Sequence, residues 1–117
     1  MAHASLSPEG RIETGLRSID CSQRQFSDIA CAMGHPVSSA LISLCLSGKR
    51  EFTPWTAERL LELLSELLAL RDYFSDIPIH WGSFERVSTL IVRRRVELAA
   101  AYVDAAAKAA QMSDGAK

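Results

Sequence analysis

Two short breaks interrupt a strongly helical pattern in the first half of this chain, and they decide how its helices can be connected. At the first break Gly34 allows a helix to end in the left-handed conformation, and Pro36 prevents the same helix from continuing. At the second break Gly48 ends another segment. Thr53 followed by Pro54 is typical of a helix start, with threonine as the N-cap and proline as the first helical residue. The pattern therefore predicts helix, glycine turn, short helix, basic turn and long helix.

Apolar residues recur at helical spacing on both sides of the first break. In the segment before it, the shared face consists of Phe26, Ile29, Ala30 and Met33. In the segment after it, the apolar face consists of Leu41, Ile42, Cys45 and Leu46. Ser38 can cap the second segment by accepting hydrogen bonds from its free amides. We predict helices over residues 23–33 and 38–46.

Three further helices are predicted outside this pair. The first covers residues 8–19, with Ile12, Leu16 and Ile19 facing inward, although Gly15 lowers its helix propensity. The fourth covers 54–74 and has a broad leucine face. The last begins after Ser83, a possible cap, and ends near residue 111.

The last helix is long for a chain of 117 residues. Nearly thirty residues would extend roughly 40 Å at the helical rise per residue, which favours packing against a second subunit. Because no convincing alternating strand appears, the fold class is all-α with about five helices. We expect a helical domain over residues 8–76, followed by a C-terminal helical extension over 77–112.

The charge of the chain is nearly balanced. The net charge is −1 and the pI about 6.3, which is mild evidence against a nucleic-acid partner. Acidic residues outnumber basic ones five to two over 55–76, whereas basic residues lead six to four over 77–117. A molecule polarised in this way can still bind phosphate with one face.

Cysteine content and motifs limit the possible chemistry. Three cysteines without metal-ligand spacing and with no leader before them indicate a reduced cytoplasmic protein, in which Cys31 and Cys45 are predicted to be small packing residues. No segment is long and apolar enough to span a membrane. No catalytic motif, metal-ligand set or cofactor loop is present, so neither an enzyme nor a cofactor is expected.

The sequence resembles the Cro and phage-repressor type of helix-turn-helix over about residues 11–72. The resemblance is carried by Ala30 and Gly34 in the first turn, by the SGKREFTP turn at 47–54 and by the amphipathic helix after it. In that family the small residue lets the two motif helices approach closely. The resemblance implies a DNA-binding transcriptional regulator of bacterial, phage or mobile-element type.

The resemblance also implies a set of DNA contacts. Helix 38–46 would enter the major groove of double-stranded DNA, with phosphate contacts from the flanking segments. The DNA-binding residues would be Gln23, Arg24, Ser38, Ser39, Ser43, Lys49 and Arg50. Two features depart from the family pattern: the turn at His35 and Pro36 is about two residues longer, and the recognition helix lacks the Arg, Gln, Asn and Lys that read bases directly.

A homodimer is expected through the last helix. Its dimerisation residues would be Val87, Ile91, Leu98 and Tyr102, buried at least partly across the subunit boundary. Such a pair would hold two motif helices about one DNA turn, roughly 34 Å, apart. The run Arg93–Arg95 has three interpretations. The aliphatic stems of the arginines could cover the core while their charged heads stay in water. Alternatively, the run could form a second phosphate-binding patch, or ion pairs with the acidic fourth helix of a partner.

Several aromatic and histidine side chains have two possible roles. Trp81 either closes the core between two helices or forms, with His80, a ligand pocket or an anchor for a partner, and we favour the first. Trp55 is interpreted as a packing residue, with contact to the DNA backbone as the alternative. His35 is either a surface turn residue without a role or a phosphate contact.

Two other functions fit the same sequence. The chain could be a non-enzymatic protein-binding inhibitor or adaptor built on the helix-turn-helix scaffold. The low basic charge and the serine, alanine and leucine content of helix 38–46 favour this alternative. A purely structural dimeric subunit is the third possibility.

Overall fold

The computed structural model describes residues 7–115, with side chains described as far as residue 112, and this part contains five helices and no strand. The helices are α1 (Pro8–Ser18), α2 (Gln23–Ala32), α3 (Ser39–Leu46), α4 (Pro54–Tyr73) and α5 (Phe84–Gly115). The all-helical prediction is confirmed. Each helix end lies within a few residues of its predicted position.

The two predicted breaks have the expected local chemistry. Ser38 and Thr53 are the N-caps of α3 and α4, and each side chain accepts a hydrogen bond from the backbone amide three residues later. Gly34 and Gly48 have φ of +86° and +84°, which glycine adopts without steric cost. Short-range sequence signals therefore determine where these helices start and end.

One hydrophobic core joins all five helices. The helix α4 packs against α1 and α5, while α2 packs against α3 and α5, and α1 also contacts α3. The largest completely buried apolar side chains are Ile12, Phe26, Ile29, Ile42, Leu60, Leu67, Leu70 and Ile91. Because Ile91 belongs to the same cluster as Ile12, the first part of α5 is part of the domain.

The close approach of α1 and α4 depends on a glycine. A Cβ atom added to Gly15 would lie 2.4 Å from Cδ2 of Leu64, far inside van der Waals contact. The sequence presents Gly15 only as a weak helix former, whereas the structure shows that its missing side chain makes room for Leu64.

The two ends of α5 have different surroundings. Val87 and Ile91 are buried in the core of the single chain, so these two predicted dimerisation residues pack within that chain. Leu98 and Tyr102 are exposed, as is every residue over 98–112. The helix therefore projects beyond the core and contributes to the 63 Å long dimension of the molecule. The structure places the start of the extension well after residue 77.

Two packing predictions are wrong. Cys31 is exposed, because it follows Ala30 by one residue and so lies about 100° away from the buried face of α2. Trp55 is 63% exposed in the first turn of α4. Cys45 and Trp81 are buried as predicted. No helix in the described part of the chain combines the length and apolarity needed to cross a membrane.

Candidate nucleic-acid interface

The turn between α2 and α3 is held to α2 by hydrogen bonds. The buried hydroxyl of Ser27 donates to the carbonyl of Val37 at 2.5 Å, and the amide of His35 donates to the carbonyl of Ala30 at 2.8 Å. Ala30 is completely buried, as expected for a small residue between two closely packed helices. These contacts give α3 a fixed position relative to α2.

One face of α3 is available to a partner. Ile42 and Cys45 point into the core, and burial raises the pKa of the Cys45 thiol, which keeps it protonated. The opposite face exposes Ser43 and Leu44. Of the two remaining predicted contact residues on this helix, the Ser38 hydroxyl accepts the capping hydrogen bond and Ser39 is half-buried. The exposed face thus offers few groups for reading bases.

A basic turn directly follows α3. The backbone amides of Lys49 and Arg50 both donate to the carbonyl of Leu44, at 3.0 and 3.3 Å, which keeps the turn against the end of the helix. Both side chains are exposed, and neither forms an ion pair with any residue that the structure describes. The structure therefore places the backbone of Lys49 and Arg50 against Leu44, the exposed neighbour of Ser43 on α3.

A carboxylate from α1 fixes the far side of this turn. Oε2 of Glu9 accepts a hydrogen bond from the backbone amide of Phe52 at 3.0 Å, and the Phe52 ring is buried. Glu9 is also close enough to raise the pKa of Cys45, while Arg50 acts in the opposite direction. Sequence reasoning missed this role, because an acidic residue in the first turn of a helix is expected for the helix dipole alone.

Gln23 and Arg24 lie at the start of α2, away from the basic turn along the chain. A capping box between Ser22 and Gln25 fixes this end of the helix. The side-chain nitrogen of Gln25 lies 3.4 Å from the position of a Cβ added to Gly82, so this end of α2 adjoins the loop before α5. The described contacts do not bring Gln23 or Arg24 to the exposed face of α3.

An exposed aromatic residue lies next to the basic turn along the chain. Trp55 is the second residue of α4, and the guanidinium of Arg59 lies 5.4 Å from the centre of its ring. Such a contact is favourable but weak at an exposed site. Its position directly after a basic turn, combined with its exposure, is the signal that favours the alternative role of Trp55 as a surface contact.

The arginine run binds the fourth helix of its own chain. Arg95 forms two hydrogen bonds with the carboxylate of Glu66, at 2.5 and 2.6 Å, and Arg93 pairs with Glu97 at 2.8 Å. Arg94 lies over the ring of Tyr73, with 5.7 Å between the guanidinium carbon and the ring centre. The contacts of Arg95 and Arg94 hold α5 to α4, whereas the Arg93–Glu97 pair lies within α5. At least two of the three charges therefore already have an intrachain partner.

His35 is half-buried in the turn between α2 and α3. It lines a small cavity of about 120 Å³ together with Arg59, Glu62, Glu66 and Arg95. None of the residues that line this cavity belongs to α3. Across residues 7–115, no cluster of three His, Cys, Asp or Glu side chains is arranged to hold a metal ion.

Comparisons with protein-family models, with curated proteins and with solved structures gave no match for this chain. The helix-turn-helix interpretation therefore rests on the residues and geometry described above.

Proposed function

We propose that this protein is a small DNA-binding transcriptional regulator that acts as a homodimer and uses α2 and α3 as a helix-turn-helix. In this proposal the exposed face of α3 enters the major groove of double-stranded DNA. Lys49 and Arg50 bind phosphates beside the groove, and the projecting end of α5 joins two subunits. The regulatory role and a bacterial, phage or mobile-element source follow from the family resemblance.

The observation that carries the proposal is the position of two basic side chains at the end of α3. Lys49 and Arg50 are exposed, and their backbone amides hold the turn in place. A fixed turn limits the conformational entropy that is lost when the two cations meet phosphates. Because Ser43 is the predicted contact residue most open to solvent on α3, the affinity would come mainly from phosphates and much less from bases.

The salt dependence of binding to duplex DNA tests this proposal. Fluorescence anisotropy on a random duplex gives log affinity against log salt for the native chain and for a Lys49→Ala, Arg50→Ala variant. Losing two phosphate contacts should flatten the slope by about two units. A matched control is Arg86→Ala, Lys108→Ala, which removes the same charge from exposed positions on α5.

Two results would count against the DNA proposal. In one, the native chain shows no salt-dependent binding to duplex DNA. In the other, the turn variant and the α5 control lose the same amount of slope, because a general loss of charge would then explain the change without a phosphate site at the turn.

A second candidate function is supported by a groove between α1 and α4. A space of about 630 Å³ is lined largely by apolar atoms of Pro8, Ala57 and Leu61, and it adjoins a second space of about 420 Å³ through Leu61 and Ser65. Such a groove can accept the apolar face of a helix. This favours a protein-binding inhibitor or adaptor. Loss of partner binding in a Leu61→Asp variant, with DNA affinity unchanged, would support it.

A further inference from the structure

A second apolar stripe follows the length of α5 and is separate from the face buried in the core. Its six residues, which we call the seam, are Val92, Val96, Ala99, Val103, Ala106 and Ala110. Their spacing of four and three residues alternates without interruption, as in a helix that packs along a second helix. The three valines are 51%, 62% and 63% exposed, and the three alanines are also exposed.

The charged side chains of the projecting part of α5 leave the seam clear. Glu97, Asp104 and Lys108 share one side of the helix, roughly 140° around the axis from the centre of the seam. Beyond residue 98, a helix packed on the seam would therefore bury no ionised group, which is the largest penalty that such an interface could carry. Nearer the core, Arg95 lies about 60° from the centre of the seam, and its guanidinium is bound to Glu66.

The order of valine and alanine along the seam is complementary to itself in reverse. When two copies run antiparallel about a two-fold axis near Ala101, Val92 faces Ala110 and Val96 faces Ala106 of the second copy. Val103 faces Ala99 in the same way. Each layer then joins one large and one small side chain, so the helix axes can keep one separation throughout.

The parallel arrangement lacks this complementarity. In register, it would place Val103 against Val103 and Ala99 against Ala99. Three layers would be wide and three narrow, which would leave gaps at the alanines. It would also bring two copies of the basic run Arg93–Arg95 to within about one helix diameter of each other. The antiparallel arrangement separates these runs by roughly 20 Å, about two Debye lengths at moderate salt.

We propose that the seam on α5 is the homodimer interface and that it pairs antiparallel with the seam of a second copy of this chain, valine against alanine in every layer. The proposal rests on the homodimer in the proposed function and describes how the two chains meet. It does not depend on DNA binding. Tyr102 lies at the edge of this interface and Leu98 outside it. The two cores lie roughly 40 Å apart, close to one turn of DNA.

Sedimentation equilibrium on the full chain without DNA is the first test. The apolar area of the seam is smaller than that of a standard interface, so we expect a weak dimer with a dissociation constant in the micromolar range rather than the nanomolar range. A Val96→Asp variant buries a carboxylate at two symmetric sites and should weaken the dimer by on the order of 100-fold or more. The matched control Leu98→Asp places the same charge outside the seam and should leave the dissociation constant within about threefold.

Disulfide trapping tests the direction and register. In a Cys31→Ser background, single variants Ala99→Cys and Val103→Cys are oxidised alone and then as a mixture. The antiparallel seam predicts that the mixed disulfide dominates, because position 99 of one copy faces position 103 of the other. The pair Val96→Cys and Ala106→Cys should behave in the same way.

Several outcomes would overturn this interface. They are a native chain that remains monomeric at 200 µM, a dimer broken by Leu98→Asp and unaffected by Val96→Asp, and an Ala99→Cys protein that links to itself more readily than to Val103→Cys. Circular dichroism on each variant establishes that it is folded. Because no DNA is present, a failed DNA proposal leaves all of these results unchanged.

Discussion

The indole nitrogen of Trp81 donates a hydrogen bond of 2.8 Å to the backbone carbonyl of Ile19, and both side chains are buried. This bond connects the loop before α5 to the end of α1, 62 residues earlier in the chain. Trp81 therefore fills space in the core and also satisfies a carbonyl that the end of α1 leaves without a helical partner.

Replacing Trp81 by Phe should destabilise the protein by about 1–3 kcal/mol, because the carbonyl of Ile19 loses its donor and part of the ring volume is lost. Trp55→Phe is the matched control, since that ring is 63% exposed, and should change stability by less than about 0.5 kcal/mol. Urea unfolding followed by circular dichroism at 222 nm measures both. Equal stability of the two variants would contradict this role of the indole.

The local features of the fold are those that the sequence predicts best. Ser38, Thr53, Gly34 and Gly48 act within a few residues of their own positions, so their meaning does not depend on the rest of the chain. The role of Gly15 was not predictable in the same way. It depends on Leu64, which lies on another helix and far away in sequence.

Gly15→Ala should destabilise the protein by about 1–2 kcal/mol, although alanine is the better helix former. The added methyl group would overlap the far end of the buried Leu64 side chain, which must then shift, and the groove of about 420 Å³ that adjoins both residues keeps the cost within this range. In a Leu64→Ala background the overlap disappears, and the same change should become neutral or stabilising by up to about 1 kcal/mol. Thermal and urea unfolding of the native chain, the two single variants and the double variant give the coupling free energy between Gly15 and Leu64. Additive effects would show that the two residues do not interact.

The pKa of Glu97 is lowered by a hydrogen bond from the Tyr73 hydroxyl and by another from the Arg93 guanidinium. Tyr73→Phe removes the first of these donors, so the pKa of Glu97 should rise toward the ordinary value of about 4.3. An NMR titration of the side-chain carboxyl carbon in both proteins measures the change. A control in Arg71→Ala, an exposed residue nearby on α4, should leave the pKa of Glu97 unaltered.

The sign of the associated pH dependence follows from that shift. Because the folded pKa of Glu97 is lowered, its contribution to stability is complete above the unfolded pKa and is lost as the pH falls through the folded value. Glu97→Gln should therefore have a shallower decline of stability below about pH 4.5 than the native chain. If stability declines below this pH as steeply in Glu97→Gln as in the native chain, the hydrogen bonds to Glu97 do not persist in solution.

The candidate interface was only partly predictable, for a physical reason. The sequence shows which side chains are cationic, but it does not show which of them already have partners. Arg95 binds Glu66, 29 residues earlier, whereas Lys49 and Arg50 have no ion-pair partner among the described residues. Such long-range pairing decides which charges are available to a ligand, and helical periodicity gives no information about it.

Trp55 provides a direct test of whether the start of α4 lies at the interface. The two tryptophans differ in exposure, Trp55 at 63% and Trp81 at 7%, so iodide should quench mainly the emission of Trp55. If the basic turn binds phosphates, duplex DNA at low salt should cover the neighbouring indole and protect it from iodide. Raising the salt should release the DNA and restore quenching.

A Trp55→Phe variant should lack the quenchable component while still binding DNA through Lys49 and Arg50. If anisotropy reports DNA binding but iodide quenching of Trp55 does not change, the DNA lies away from the start of α4. It would then also lie away from the basic turn.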